Sequence, residues 1–60
     1  MREFVMRVER ENAAFEDGND QYEVARLLRR AAEEVELGLA EMPLLDVDGN
    51  TVGRWEMTDG

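Results

Sequence analysis

The chain has 60 residues, which is enough for one small domain that buries only about 60% of the surface exposed by its unfolded form. Fifteen acidic residues against seven basic ones, with no histidine, give a net charge of −8. Direct binding to nucleic acid or to an anionic membrane is not expected, because like charges repel. Cysteine and serine are both absent, which excludes disulfides, thiolate chemistry and Ser-His nucleophiles.

The start of the sequence has no charged leader followed by an apolar stretch, and the longest apolar runs are only a few residues long. A membrane span needs about 20 apolar residues. The sequence therefore predicts a cytoplasmic protein.

The first segment alternates between apolar and polar positions, with Phe4, Met6 and Val8 on one side. This period of two predicts a strand over about Glu3 to Glu11 with one buried face. The polar stretch that follows, rich in Asp, Gly and Asn, predicts a loop, and Phe15 is expected to tuck under the edge of the domain.

A helix is predicted over about Gln21 to Leu37. Asp20 followed by Glu23 has the spacing of a capping box, which favours a helix start at this point. Gly38 is expected to terminate the helix, and Pro43 prevents its continuation.

One side of this helix carries apolar residues spaced by three and four positions. The predicted stripe consists of Val24, Leu28, Ala31 and Val35, with Leu27, Ala32 and Leu39 as its neighbours. Leu28, Ala31 and Val35 are expected to pack on the inward face of the first strand, formed by Phe4, Met6 and Val8.

A hairpin is predicted in the last third of the chain. The dipeptide Asp48-Gly49 lies between two runs that carry apolar residues and suits a two-residue type I′ turn. Such a turn places Leu45 opposite Val52 and Leu44 opposite Gly53, but the sequence does not decide which face is buried. Gly53 marks either a bulge or a close approach of another backbone or ring.

The predicted element order is strand, helix, strand, strand. It indicates an α+β domain in which a single helix packs on a small three-stranded antiparallel sheet, β-α-β-β, with residues 1–60 forming one acidic domain. Antiparallel pairing of the first and third strands needs no parallel crossover. The expected sheet order is therefore first, third, second.

The acidic residues suggest two kinds of chemistry, a metal site and catalysis by paired carboxylates. Asp46, Asp48 and Asn50 place oxygen atoms at alternate positions, as the opening of a calcium loop does. The pattern then fails, because Thr51 and Met57 stand where the turn glycine and the bidentate acid belong. A hairpin turn accounts for the same residues, so neither a metal site nor a cofactor is predicted.

Paired carboxylates need a cleft that 60 residues around one helix rarely build, so the sequence predicts no catalytic residues and no enzyme.

The acids near the end of the helix oppose its dipole. Glu33, Glu34 and Glu36 fall in the last turns, where each costs about 0.3–1 kcal/mol at low salt. Arginines four residues earlier offset part of this cost for the first two, whereas Glu36 and Glu41 have no evident partner. Two interpretations stay open, a solvated helix face or a functional acidic face. The candidate partner-binding residues are Glu33, Glu34, Glu36, Glu41, Asp17 and Asp20.

Three stretches carry a resemblance to known proteins. They are Glu11-Asn12-Ala13-Ala14-Phe15, Glu23-Val24-Ala25-Arg26-Leu27-Leu28, and Leu45-Asp46 with Gly49-Asn50 and Val52-Gly53. Through them the chain, from Phe4 to Trp55, resembles short phage and mobile-element proteins with an N-A-A-F segment, an E-x-A-R-x-L helix and a C-terminal hairpin. Asp48-Gly49 stands here in place of the Asn-Gly that this group carries at the hairpin tip. In size and charge the chain also resembles the DNA-mimicking class of anti-CRISPR proteins.

The resemblances imply an acidic inhibitor that acts in the cytoplasm of an infected bacterium. Such a decoy for DNA binds a host defence complex through the basic groove that normally holds nucleic acid. The alternative is a small phage structural or accessory module without inhibitory activity, which binds a protein partner through its exposed sheet edge or apolar surface.

Overall fold

The computed structural model describes residues 1–59. These residues form one α-helix, α1 (Asp20–Glu36), and three strands, β1 (Glu3–Val8), β2 (Glu41–Leu45) and β3 (Thr51–Thr58), with a short 3-10 turn over Ala13–Phe15. The strands build one antiparallel sheet in the order β1-β3-β2. This confirms the predicted α+β fold and the predicted strand order.

The first strand ends earlier than predicted. β1 stops at Val8 rather than at Glu11, although Glu9 N–H still donates to the Val52 carbonyl at 2.7 Å. The reason is local, because the Asn12 side chain accepts a hydrogen bond from Ala14 N–H and starts the 3-10 turn. That turn carries the ring of Phe15, at its end, into the core.

The N-terminus of α1 lacks the predicted capping box. Asn19 is the N-cap and accepts the Glu23 N–H through its backbone carbonyl at 2.9 Å, while its side chain forms no capping hydrogen bond. Asp20, the predicted cap, is itself the first helical residue. The Glu23 carboxylate turns inward and accepts hydrogen bonds from Arg26 and from Val47 N–H. The capping-box prediction is therefore wrong, because tertiary partners hold the Glu23 carboxylate.

The C-terminus of α1 ends as predicted at Gly38, whose φ is +88°. Gly38 N–H donates to the Val35 carbonyl at 3.0 Å, and Leu39 N–H donates to the Glu34 carbonyl at 3.2 Å. This pair of bonds is a Schellman motif, which satisfies carbonyls that the helix leaves open and favours glycine at the left-handed position.

The buried stripe of α1 is rotated from the predicted one. Leu27, 1% exposed, and Ala31 pack in the core, and Glu23 and Glu34 occupy the other buried positions. Leu28 is 53% exposed, so the prediction that it packs in the core is wrong. The prediction used apolar residues alone to find the buried face. It was therefore offset from the true buried face, because two of the inward positions of α1 are occupied by glutamates.

The hairpin is present, but its turn is not the predicted two-residue turn. Asp46 N–H donates to the Asn50 carbonyl at 2.9 Å, and Gly49 N–H donates to the Asp46 carbonyl at 3.0 Å, which encloses a three-residue loop. Gly49 has a φ of +86°, whereas Asp48 does not have a positive φ. A type I′ turn needs positive φ at both central residues, so that prediction is wrong.

The longer loop shifts the register and decides which face is buried. Leu44 keeps its predicted partner, but Leu45 lies opposite Thr51 and the predicted Leu45–Val52 pair does not form. The shift leaves Val52 as an extra residue of β3 and turns it toward the core together with Leu44. The buried face is therefore the one that carries Leu44 and Trp55.

Gly53 follows the extra residue Val52 in β3 and also lies against the backbone of β1. A Cβ at Gly53 would lie 1.9 Å from the backbone oxygen of Arg7 in β1. No side chain fits at this distance. Both the bulge and the close approach of another backbone, which the sequence offered as alternatives, are therefore present at Gly53.

Candidate functional site

Three acidic side chains are buried and stabilise the fold, namely Glu23, Glu34 and Asp46. Glu34 accepts a hydrogen bond from the Trp55 indole Nε1–H at 2.9 Å and lies 3.5 Å from the Arg30 guanidinium. Because Trp55 is fully buried, this bond satisfies a donor that has no access to water. Glu34 was a candidate for partner binding, but its carboxylate lies in the core and is not available at the surface.

Asp46 organises the hairpin loop. Its Oδ1 accepts the backbone N–H groups of Asp48 and Asn50, both at 2.9 Å, and its Oδ2 accepts the side-chain amides of Asn12 at 2.7 Å and Asn50 at 3.2 Å. Burial alone would raise the pKa of Asp46, but these four hydrogen bonds together lower it below its ordinary value. Both oxygens are committed to the loop. Within residues 1–59, no three acidic side chains are grouped so that they could hold a metal ion.

Glu23 and Arg26 attach the helix to the same loop. Glu23 accepts Val47 N–H at 3.2 Å, and Arg26 donates to the Leu45 carbonyl at 2.9 Å. Asn12 reaches the loop from the other side through Asp46. The β1–α1 connection, the first turns of α1 and the hairpin loop therefore meet at one end of the domain.

Most exposed carboxylates without an arginine partner lie at this end. Of the twelve acids that are not buried, four form ion pairs: Asp20 with Arg10, Glu41 and Glu56 with Arg54, and Asp59 with Arg2. Across residues 1–59 the other eight form none. Five of these eight lie in the connection and the hairpin loop and are called here the acidic end: Glu9, Glu11, Glu16, Asp17 and Asp48.

The predicted acidic residues do not form one surface. Glu33 and Glu36 are exposed in the last turns of α1, whereas Asp17 precedes its first turn. The helix has 17 residues and spans about 25 Å between these two groups. Asp20 and Glu41 pair with arginines, at 2.6 and 3.0 Å respectively. The expectation that Glu41 has no partner is therefore wrong.

A shallow depression at the acidic end contains an exposed aromatic residue. Its lining includes Ala13, Tyr22 and Asp48, and the Tyr22 side chain is 68% exposed. A large, rigid side chain in this setting can bury apolar area against a partner at a low cost in conformational entropy.

The second surface feature is an open apolar groove between α1 and the core-facing side of β1. Its rim is formed by Phe4, Leu28 and Met57, which are about half exposed, and its floor includes Met6, Ala31 and Val35. The Phe4 ring stacks on Trp55 with centroids 5.8 Å apart. The sequence predicted all of these rim and floor residues except Met57 as packed core. In the structure α1 packs against the 3-10 turn and, among the strands, mainly against β2, which leaves the β1 side of this face partly uncovered.

Comparison of the chain with protein-family models, curated proteins and solved structures found no match. Within the part of the chain that the structure describes, α1 and the 3-10 turn both lack the length and apolar character needed to cross a membrane. Any assignment of function therefore depends on the surfaces of this chain.

Proposed function

We propose that this protein is an acidic inhibitor, encoded by a phage or another mobile element, that occupies a basic DNA-binding groove of a host defence complex. The observation that carries the proposal is the acidic end, where five exposed carboxylates lack an arginine partner among residues 1–59. A groove lined by Arg and Lys to hold phosphates presents the complementary charge.

Local turns shape the backbone at two places in the acidic end. Asp17 adopts a φ of 56° and is followed by Gly18 at 81°, which makes a tight turn before α1. In the hairpin loop, the Asp46 carboxylate accepts the backbone N–H groups of Asp48 and Asn50. Charges on a preorganised backbone avoid the ordering cost that a flexible acidic tail would meet on binding.

The charge density limits how much DNA such a surface can replace. The acidic end offers five carboxylates without an arginine partner among residues 1–59, which match the charge of only about 9 Å of duplex axis. Duplex DNA carries one charge per about 1.7 Å of its axis. We therefore expect the protein to pair with only some of the basic side chains of a groove. Tyr22 adds apolar contact area, which makes up for part of the missing charge.

Two charge reversals of equal size test the proposal. In one variant Glu16 and Asp17 at the acidic end are replaced by lysine, and in the control Glu33 and Glu36 at the other end of α1 are replaced by lysine. All four side chains are exposed and form no ion pair within residues 1–59, so both variants are expected to fold. Phage plating on a CRISPR-bearing host and binding to the purified effector complex are measured. The first variant should lose inhibition, and the control should retain most of it.

Competition and salt give a second measurement. DNA should displace the protein from the effector, and binding should weaken between about 0.05 and about 0.5 M salt, over which the Debye length falls about threefold. An effector that binds DNA and this protein at the same time, with an affinity insensitive to salt, would contradict the proposal.

The apolar groove favours a second candidate function, that of a structural or accessory module that binds a protein partner. Its exposed rim is formed by Phe4, Leu28 and Met57. For such a module, Leu28→Asp should abolish partner binding, whereas the lysine substitutions at the acidic end should leave it intact.

A further inference from the structure

The two edges of the sheet differ in whether they can pair with another strand. Ala40, just before β2, has its backbone directed toward β3, because its carbonyl accepts the Met57 N–H at 2.9 Å. By the alternation of an antiparallel pair, Met42 and Leu44 also bond toward β3. Pro43, between these two residues, therefore directs its nitrogen outward, and a proline nitrogen has no hydrogen to donate. A proline at this position protects an edge strand from further pairing.

The β1 edge has no such protection. Glu9 N–H bonds to β3, so in this antiparallel pair the odd-numbered residues of β1 face β3. The even-numbered residues, Phe4, Met6 and Val8, direct their N–H and carbonyl groups away from the sheet. No proline interrupts β1, and the apolar groove lies directly beside it.

We propose that β1 pairs antiparallel with β1 of a second copy of this chain, which joins the two sheets into one of six strands. For the apolar faces of the copies to merge, even-numbered residues must lie opposite even-numbered ones. A two-fold axis at Val5 satisfies this condition. It places Phe4 opposite Met6 of the second copy, and the two symmetrical Phe4–Met6 pairs can form four backbone hydrogen bonds.

The charges on the outer face of β1 select this register. Within residues 1–59 neither Glu3 nor Arg7 forms an ion pair, and Arg7 lies opposite the like-charged Arg54 of β3. An axis at Val5 places Glu3 opposite Arg7 of the second copy, twice by symmetry, which is a favourable cross-strand pair. An axis at Met6 would instead place Glu3 opposite a glutamate, since Glu9 is the residue six positions further along.

The chain exposes more surface than a compact monomer of its size. It exposes 4579 Å², whereas a folded monomer of 6.9 kDa is expected to expose about 4,000 Å². The half-exposed side chains of Phe4, Leu28 and Met57 belong to this surface. Pairing at β1 brings Phe4 and Met6 of both copies together, so the half-exposed rim of the groove faces the same rim of the second copy.

A charge exchange tests the pairing and its register by sedimentation equilibrium between about 10 μM and about 1 mM chain. The unmodified protein should dimerise. Arg7→Glu places acids opposite each other at two positions and should weaken the dimer roughly tenfold to thirtyfold, as should Glu3→Arg. The double variant reverses both pairs and should restore the dimer. A monomer over the whole range, or single and double variants of equal affinity, would overturn the proposal. Circular dichroism should show all variants folded, because both side chains are exposed.

Cysteine crosslinking gives an independent test in a chain that has no cysteine. Residues at position 5 of the two copies form a non-hydrogen-bonded pair with Cα atoms about 4.5 Å apart, which is within disulfide range. Val5→Cys should therefore crosslink into a covalent dimer under mild oxidation. In the control Glu3→Cys the two cysteines are four residues out of register, about 14 Å apart, and should not crosslink. Equal crosslinking of both variants, or none by Val5→Cys, would reject this register.

Discussion

The adjacent residues Glu33 and Glu34 should respond in opposite ways to the same substitution by lysine. Glu33 is exposed in the last turns of α1, where a lysine suits the negative end of the helix dipole. Glu34 is buried and accepts the hydrogen bond of the fully buried Trp55 indole at 2.9 Å. Glu34→Lys removes that acceptor and places an ammonium group in the core.

The expected magnitudes differ enough to be resolved easily. Leaving the buried indole N–H without an acceptor costs about 1–3 kcal/mol, and placing a charged ammonium group in the core adds several kcal/mol more. A domain of 60 residues has a free energy of unfolding of about 3–9 kcal/mol. Glu34→Lys should thus lower Tm by about 15 °C or prevent folding. Glu33→Lys should change the stability by less than about 1 kcal/mol, in the stabilising direction.

Trp55 is the only tryptophan of the chain, so its fluorescence reports directly on this part of the core. Thermal unfolding is followed by fluorescence and circular dichroism for both variants and for Glu34→Gln, which keeps an acceptor for the indole and should be intermediate. A Glu34→Lys variant that melts within a few degrees of the parent, with an unshifted emission maximum, would refute the structural role of this carboxylate. It would also return Glu34 to the list of residues available for partner binding.

Three further predictions concern the core, the sheet and the hairpin. Leu27→Ala should cost about 2–5 kcal/mol and Leu28→Ala less than about 1 kcal/mol in urea unfolding, since only Leu27 is buried; the reverse order would show that the buried helix face is misassigned. Gly53→Ala should speed amide exchange in β1, because its Cβ would lie 1.9 Å from the Arg7 oxygen; unchanged exchange would contradict that contact. The lowered pKa of Asp46 in the folded state means that its stabilisation is present above the unfolded pKa of about 3.9 and is lost as the pH falls through the folded pKa. Asp46→Asn should therefore flatten the loss of stability as the pH falls below about 4, and an unchanged pH profile would count against the hydrogen-bond network.

Local patterns were sufficient for the order of the elements. Alternation in the first segment predicted β1, the position of Gly38 predicted the end of α1, and the turn residues after β2 predicted a hairpin. These features depend on interactions between residues close in the chain, such as the Schellman bonds at Gly38. Their prediction from the sequence was therefore correct.

The candidate site was harder to predict because its residues obtain their partners from distant parts of the chain. The helix pattern groups Glu34 with the candidate surface acids, but its partner Trp55 is 21 residues away. The sequence shows no evident partner for Glu41, but Arg54 reaches it across the hairpin. The acidic end was mostly missed, since its members lie in irregular segments with no periodicity that would group them.

The sequence by itself determined the net charge of −8, the chemistry that the missing Cys, His and Ser exclude, and the β-α-β-β order. Tertiary structure alone decided which carboxylates are buried, which face of the hairpin forms the core and which edge of the sheet stays open. The physical reason is that a buried carboxylate is tolerated only where donors from other elements meet it, as the Trp55 indole meets Glu34. The composition shows only that an acid is present. The folded chain determines whether its carboxylate is hydrogen-bonded in the core or exposed where a partner can bind it.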